Sequence, residues 1–418
     1  MRQWMVAAKK ADFYVIAEKF HVDPVVARII RNREVIGEKN IRIYLGGNLS
    51  DLSDPHQMKD MDRLVEILAQ KIRKQVHIRI IGDYDVDGVT SSHLFLTALR
   101  RVGAKVDVVI PHRIQDGYGL SLHLLQQAKE DGVDTILTCD NGIAAIDEIA
   151  WAKAQKMTVL VTDHHAVPFE EHEGRRTEKK SLADAVVNPH QQDCGYPYKE
   201  LCGAGVAWNV IRVLYENYDM DKREAEDLLD FVAMATVCDV MSLTGENRIL
   251  VKEGLKRIRH TKNIGLQALM QACNVQPENI SAYHFGYVLG PCVNATGRLD
   301  TARHALRLFE TGQETEAEEI ARDLVDLNQE RKELTLQGVE MAKKLCEEGG
   351  YENDPVLVLF LPDVHESIAG LIAGRIREMY NRPVFVLTRG EEGVKGSGRS
   401  TENYSMYENM CGLSLIHI

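Results

Sequence analysis

The stretch "RIIGDYDVDGVTSS", residues 79–92, runs from an apolar segment through three alternating aspartates, Asp83, Asp85 and Asp87, into a run of small and hydroxyl-bearing residues. An EF-hand calcium loop opens with the same D-x-D-x-D-G pattern. Its twelfth position would here be Leu94 instead of glutamate, and the segment before it reads as a strand, so that reading fails twice. A solvated turn accounts for most acidic tripeptides, but it leaves unexplained why other apolar runs in this chain end in the same way.

Outward from this stretch a regular alternation appears. "HIRIIGD" reads as a strand, "VTSSHLFLTALRRVG" as a helix, "KVDVVIP" as a strand and "SLHLLQQAKEDG" as a helix. "DTILTCD", "AAIDEIAWAKAQ" and "MTVLVTDHH" continue it as strand, helix and strand. Short apolar strands alternating with helices of about 10–15 residues predict a parallel sheet covered on both faces, a doubly wound α/β fold. Ligands of such sheets bind beyond the carboxyl ends of the strands. Asp140 ends one of these strands, and Asp163, His164 and His165 end another. Asp239 follows a further apolar run in "MATVCDVMSL". Singly, each has a plain explanation, such as a helix N-cap for Asp140 or a capped turn for Asp163. Together they place acids and imidazoles along one edge of one sheet.

Two carboxylates about 4 Å apart repel by roughly 4 kcal/mol at an effective dielectric of 20. A cluster of them needs cations. Oxygen donors with one or two imidazoles suit a pair of divalent ions, and manganese fits that mixture better than calcium or structural zinc. Two ions bridged by a carboxylate can activate a water and clamp both oxygens of a phosphoryl displacement, which predicts phosphoester hydrolysis without a serine or cysteine nucleophile. The second imidazole of the pair can then protonate the leaving oxygen or hold the phosphate.

The rest of the chain is consistent with an intracellular enzyme. At 418 residues it should form two or three domains. No apolar run approaches the roughly 20 residues that span a bilayer, and the N-terminus lacks the core of a signal peptide, so a cytoplasmic location is expected. Eight cysteines are scattered without a CxxC pair and read as buried thiols. A net charge of -12 and a pI near 5.7 argue against nonspecific coating of nucleic acid. They leave room for a local groove whose positive charge comes from metal ions. The expected division is a helical lead-in over residues 1–76, a catalytic α/β domain with a helical extension over 77–312, and a connecting helix over 313–350. A partial second α/β domain over 351–410 and a tail over 411–418 follow. The charged stretch 170–181 reads as a solvated loop.

With these residues in view, the chain resembles the DHH phosphoesterase superfamily and, within it, the branch specific for single-stranded DNA. The likeness runs through "GDYDVDGVTSS", "PHRIQDGYGL", "CDNGI", "TDHH", "VVNPH", "LCGAGVAW", "ATVCDVMSL", "GPCVNATGRL", "LNQERK" and "GSGRS". It implies a 5′-to-3′ exonuclease of DNA recombination and repair. Asp83, Asp85, Asp87, Asp140, His164 and Asp239 would hold two metal ions, manganese preferred and magnesium possible, with Asp140 bridging. His165, supported by Asp163, would act near the phosphate. A second domain like the family's DHHA1 domain would hold the strand end through Arg298, Ser397 and Arg399, with Arg113 from the first, since guanidinium forks and hydroxyls recognise phosphate oxygens. The implied partners are single-stranded DNA with a 5′ end, a single-strand-binding protein and a helicase, with no membrane. Tyr118 and the segment "SAYHFGY" offer aromatic faces for bases, although aromatics in such folds more often belong to the core.

The chain departs from the family pattern in two places. In "DVHESIAGLIAGR" His365 is retained, while serine and isoleucine stand where the family has glycine and valine. The ending "CGLSLIHI" does not continue the family pattern and reads as vector or adapter sequence on a truncated chain. A small-nucleotide phosphodiesterase and a manganese pyrophosphatase are the near alternatives. Both carry a histidine-led first motif that "GDYDVDG" lacks. A noncatalytic replication scaffold would have lost ligands, and all of them are present here.

Overall fold

The structure is a computed structural model and describes residues 9–114, 116–117, 119–172, 175–351, 354–390 and 393–411. Tyr118 and residues 412–418 of the expected tail lie outside the described residues. Contacts divide the chain into two units, Met1–Val293 with Ala302–Ala321, and Asn294–Thr301 with Arg322–Ile418. The last boundary, Ala321/Arg322, falls inside the helix Glu314–Gly349, which the sequence predicts as one long element over 313–348.

The first unit is built on five parallel strands, β1 (Ile78–Ile81), β2 (Val106–Val109), β3 (Thr135–Cys139), β4 (Thr158–Thr162) and β7 (Ala185–Val187), in the order β2-β1-β3-β4-β7. Ile80, Ile81, Leu137, Val159 and Leu160 are fully buried, as expected where helices cover both faces of a parallel sheet. The one charge in β1, Arg79, is neutralised by Asp107 (2.7 Å) and Asp131 (2.8 Å). Strand order reverses between β1 and β3, since β2 lies on one side of β1 and everything later on the other. Crevices open at the carboxyl ends of the strands at such a reversal.

The structure adds detail to, or departs from, the sequence reading in three parts of this unit. The segment expected as a loop over 170–181 holds a two-stranded antiparallel hairpin, β5 (Phe169–His172) with β6 (Arg175–Glu178). Alternation is hidden there because charged residues stand at consecutive positions of the sequence. "DAVVNPH" supplies the fifth strand, β7, too short to announce itself by periodicity. The run 222–240 forms two helices, Lys222–Glu226 and Leu229–Cys238.

The second unit carries a three-stranded sheet of order β10-β9-β8, with β8 (Leu357–Phe360) parallel to β9 (Val384–Gly390) and β10 (Gly393–Arg399) antiparallel to it. The helix Ala369–Tyr380 buries Ala369, Ile372, Ala373 and Ile376 in a core with Leu357, Leu359, Val384 and Val386. Among the described residues of the chain, no helix is long and apolar enough to cross a membrane.

Candidate metal centre at the switch point of the sheet

Register brings the acids into a row. Ile81 pairs with Thr138, Cys139 with Thr162, and Thr162 with Val187. The residues that follow at this edge are therefore Asp83, Asp140, Asp163 and Asn188, one from each of four adjacent strands. The backbone bonds Asp140 N to Thr162 O and Asp163 N to Val187 O, both 3.1 Å, carry the pairing up to the row itself.

The small residues after Asp87 have a steric cause. Asp85 caps the helix Val86–Arg101 by accepting from Gly88 N–H (3.0 Å), and a β-carbon on Gly88 would lie 2.5 Å from Asp83 backbone. The first turn of this helix is thus pressed onto the strand end. Ser92 Oγ–H donates back to Gly88 O (2.7 Å), and Thr90, Ser91 and Ser92 are fully buried. Asp87, on the same turn, accepts from Gly203 N–H (2.6 Å) and Ala204 N–H (2.7 Å) at the start of the helix Gly203–Asn217. That helix end favours negative charge.

Asp140 stands in the left-handed region at φ 61°, a conformation that is sparse outside glycine, asparagine and aspartate. Its turn is closed by Asn141, whose Nδ2–H₂ donates to Ile81 O (3.1 Å) and Cys139 O (2.9 Å). Gly203 packs against Asp140 so closely that an added β-carbon would lie 2.6 Å from Asp140 Cβ. Gly203→Ala is therefore expected to displace Asp140 and lower turnover by on the order of a hundredfold, the cost of a misplacement of about 1 Å. Unchanged kinetics in a folded variant, checked by circular dichroism, would refute this.

His164 Nε2 sits at the meeting point, 3.1 Å from Asp140 Oδ1 and 3.7 Å from oxygens of both Asp87 and Asp239. Donor atoms gather into three sets whose members lie within 4.8 Å of one another: Asp83, Asp85 and Asp140; Asp87, His164 and Asp239; Asp140, His164 and His165. Asp140 and His164 each belong to two sets. Burial, then the Asp85 charge, pushes Asp83 up to about 7. Burial, then Asp87 and Asp85, pushes Asp239 up to about 8. Asp87 and Asp140 are raised in the same way, burial first, with the neighbouring carboxylates adding to it. Asp83 Oδ1 and His164 Nε2 are buried without a hydrogen-bond donor or acceptor. Carboxylates that repel, gathered within 3.7 Å of a buried imidazole nitrogen that makes no hydrogen bond, fit divalent cations.

Asp163 plays another part. Its Oδ1 accepts from the N–H groups of His164 (2.7 Å) and His165 (3.0 Å) and meets His165 Nδ1 at 2.8 Å, while Oδ2 accepts from Ile143 N–H (2.9 Å). Burial works against its charge, but these bonds prevail and hold it below the ordinary carboxylate range. In turn burial lowers His165, and the stronger pull of Asp163 lifts it to about 9. Asn188, at the end of the row, donates to His165 O (2.9 Å) and accepts from His190 N–H (2.8 Å). Sequence reading quoted "VVNPH" and "LCGAGVAW" without roles for Asn188 and Gly203. Their position in the row and at the helix start becomes readable only once strand register is known.

The expected phosphate anchors fall in both units. Arg113 lies in the first unit, with its guanidinium 3.9 Å over the Tyr84 ring. In the second unit Arg298 Nη1–H donates to Ser367 O (2.8 Å), and Arg399 Nη1–H to Ser397 Oγ (3.0 Å). A β-carbon on Gly370 would lie 2.7 Å from Arg399 Nη2 and 2.8 Å from Ser397 Oγ. Arg298, Ser397 and Arg399 thus gather around the N-terminus of the helix Ala369–Tyr380, where unpaired N–H groups favour anions. His365 caps this region, its Nδ1 2.7 Å from the hydroxyl of Ser367, the serine that departs from the family pattern.

Comparison with known proteins gives the family. The family described as DHH family, N-terminal domain, matches residues 77–236. The single-stranded-DNA-specific exonuclease RecJ of Haemophilus influenzae is 36% identical over 397 residues, covering 92% of this chain and 67% of the relative. RecJ of Escherichia coli is 33% identical, covering 94% of this chain and 69% of the relative. RecJ of Bacillus subtilis is 33% identical, covering 94% of this chain and 48% of the relative, so the chain spans about half of that longer protein. A crystal structure of exonuclease RecJ bound to manganese superposes with a TM-score of 0.72 at 32% identity, covering 85% of each chain. RecJ of Thermus thermophilus in complex with Mn2+ gives 0.76 at 29% identity, covering 96% of this chain and 55% of that one. With a shared fold, an ordered set of acidic motifs and identity sustained over nearly its whole length, the chain belongs to the RecJ family of DHH proteins.

Proposed function

We propose that this chain is a metal-dependent exonuclease that removes mononucleotides from the 5′ end of single-stranded DNA. The observation that carries the reading is the overlap of three donor sets on Asp140 and His164 at the switch point of the sheet. Asp83, Asp85 and Asp140 would hold one divalent ion and Asp87, His164 and Asp239 a second, with Asp140 shared and manganese preferred over magnesium. Such ions lower the pKa of a water and neutralise charge that develops on a phosphoryl group.

The protein's own groups do the rest. Asp163 fixes the His165 ring through Nδ1, and the imidazolium that this pairing favours holds a phosphate oxygen or protonates the departing O3′. Arg298, Ser397 and Arg399, gathered at the helix N-terminus of the second unit, would grip a terminal phosphate. Gripping an end is what makes an exonuclease, and the strand left after each cut again carries a 5′ phosphate. The same reading makes residues 351–410 a DHHA1-like substrate domain. It places the protein in the cytoplasm, in recombination and repair, where a helicase and a single-strand-binding protein present single strands.

Single strands labelled at either end, incubated with manganese beside a duplex, test this directly. Immediate release of labelled mononucleotide from the 5′ end of single strands alone is expected; cleavage from the 3′ end or of duplex would overturn it. His165→Ala should slow hydrolysis by about 10²–10⁴, the usual contribution of a positioned acid–base group. Its manganese content should stay at the wild-type level, and loss of metal from that variant would remove His165 from the assigned role.

A further inference from the structure

Two cysteines of the first unit meet across a gap in the sequence. Cys273 caps the helix Ile264–Ala272: its N–H donates to Leu269 O (3.0 Å), and Asn274, left-handed at φ 55°, turns the chain away. Cys292 is the third residue of the helix Gly290–Leu299, and its Sγ–H donates to Val288 O (3.3 Å). The two sulfurs lie 3.8 Å apart although their residues are 19 positions apart in sequence. Cys292 is buried, whereas Cys273 is partly exposed and is followed by the exposed Asn274.

The two ends differ in how freely they can move. The start of the helix Gly290–Leu299 is wedged in place, since a β-carbon on Gly290 would lie 2.3 Å from Cys238 Sγ, and Cys238 Sγ–H in turn donates to Phe285 O (3.4 Å). Between the cysteines, Phe285–Leu289 is a π-helical turn whose Phe285 and Leu289 are buried while Tyr287 is exposed. Cys273 stands instead at a helix end, where the backbone frays most easily. A disulfide needs its sulfurs about 2.05 Å apart. Rotation of the Cys273 side chain and a small shift of the helix end supply that approach without disturbing the packed helix.

We propose that Cys273 and Cys292 form a modification site for peroxides, at which oxidation closes a disulfide that staples the segment 273–292. The partly exposed Cys273 reacts first. Its thiolate attacks one oxygen of hydrogen peroxide, the O–O bond breaks, hydroxide leaves, and Cys273 becomes a sulfenic acid. Cys292 then attacks the Cys273 sulfur, the S–S bond forms, and the sulfenic oxygen leaves as water with the Cys292 proton. Two thiols and one hydrogen peroxide give one disulfide and two waters: the sulfurs are oxidised and the peroxide is reduced. A second thiol already in contact intercepts the sulfenic acid before further peroxide converts it to the sulfinic acid. The staple ties down the segment on which Cys238, the residue before Asp239, rests, and it does so by moving the loose end. The site is independent of the activity proposed above.

The test treats the fully reduced chain and its Cys273→Ser variant with equimolar hydrogen peroxide in EDTA, followed by alkylation and digestion without reductant. Mass spectrometry of the wild type should find the peptides of Cys273 and Cys292 joined, with two hydrogens lost. Oxidation should raise the wild-type melting temperature by about 5 °C, the effect of closing a loop of this length, and dithiothreitol should reverse the rise. Hydrogen exchange over residues 274–291 should slow in the oxidised wild type, and the variant should show neither change. Cys273 recovered as a sulfinic acid, Cys292 joined to a different cysteine, or both thiols recovered unoxidised would overturn the modification site. A disulfide that alters neither melting nor exchange, or equal shifts in the variant, would overturn the staple.

Discussion

Asp140→Asn should abolish manganese-dependent turnover, lowering kcat by about a thousandfold or more. Metal ions contribute several kcal/mol to a phosphoryl-transfer transition state, and each 1.36 kcal/mol or so is tenfold in rate. Asparagine keeps the size of the side chain and tolerates the left-handed backbone at this position. Only the charge is lost. The opposite outcome is expected for stability in EDTA. There Asp140 is a buried carboxylate facing Asp87, Asp85 and Asp83, and burial with their repulsion holds it well above its ordinary range. Removing it should raise stability by on the order of 1 kcal/mol, because asparagine spares the folded chain the cost of holding a carboxyl buried among other carboxylates. Turnover within tenfold of wild type, or a lower melting temperature in EDTA, would show that Asp140 is not the shared ligand.

The second large effect concerns pH and metal together. Asp83 and Asp239 are raised to about 7 and about 8, burial being the main cause and neighbouring carboxylates the next. The folded chain therefore binds more protons than the unfolded chain between the ordinary aspartate range and pH 8, and stability in EDTA must fall as pH rises. Asp83 alone contributes a loss of about 1 kcal/mol between pH 6 and pH 8. Manganese competes with those protons and is bound more tightly as they leave, so its stabilising effect should grow across the same range. Melting curves with and without manganese at pH 6 and pH 8 measure both slopes. A manganese shift that is larger at pH 6 would contradict the assignment of these two aspartates as ligands.

The chemistry was more legible than the packing that supports it. Aspartates that end apolar runs can be read directly, because a parallel sheet sends the residue after each strand to the same edge. Asp83, Asp140 and Asp163 were found that way, and His164 came with them. Asn188 escaped because β7 has only three residues and its polar end is an amide, which carries no charge to mark it. Gly203 escaped because its importance is the absence of a β-carbon at a contact between segments distant in sequence. The hairpin of β5 and β6 was hidden because charged residues stand at consecutive positions of its sequence. Tyr287 could not be separated from Phe285 by sequence, since exposure within a π-helical turn does not follow the usual helical period.

A site assembled from a row across four strands also constrains how the protein reaches its native state. The residues of the row arrive from separate turns between residue 83 and residue 188, and Asp239 comes later still. Parallel pairing requires a crossover between every two strands, so these contacts are long in sequence and form late. Among the described residues, none of the three donor sets comes from a single hairpin or helix, so none can chelate an ion early. On the proposed assignment, metal binding is therefore a seal on a completed fold and not a nucleus for it, and a chain stopped before Asp239 leaves the ribosome without one of the proposed ligands.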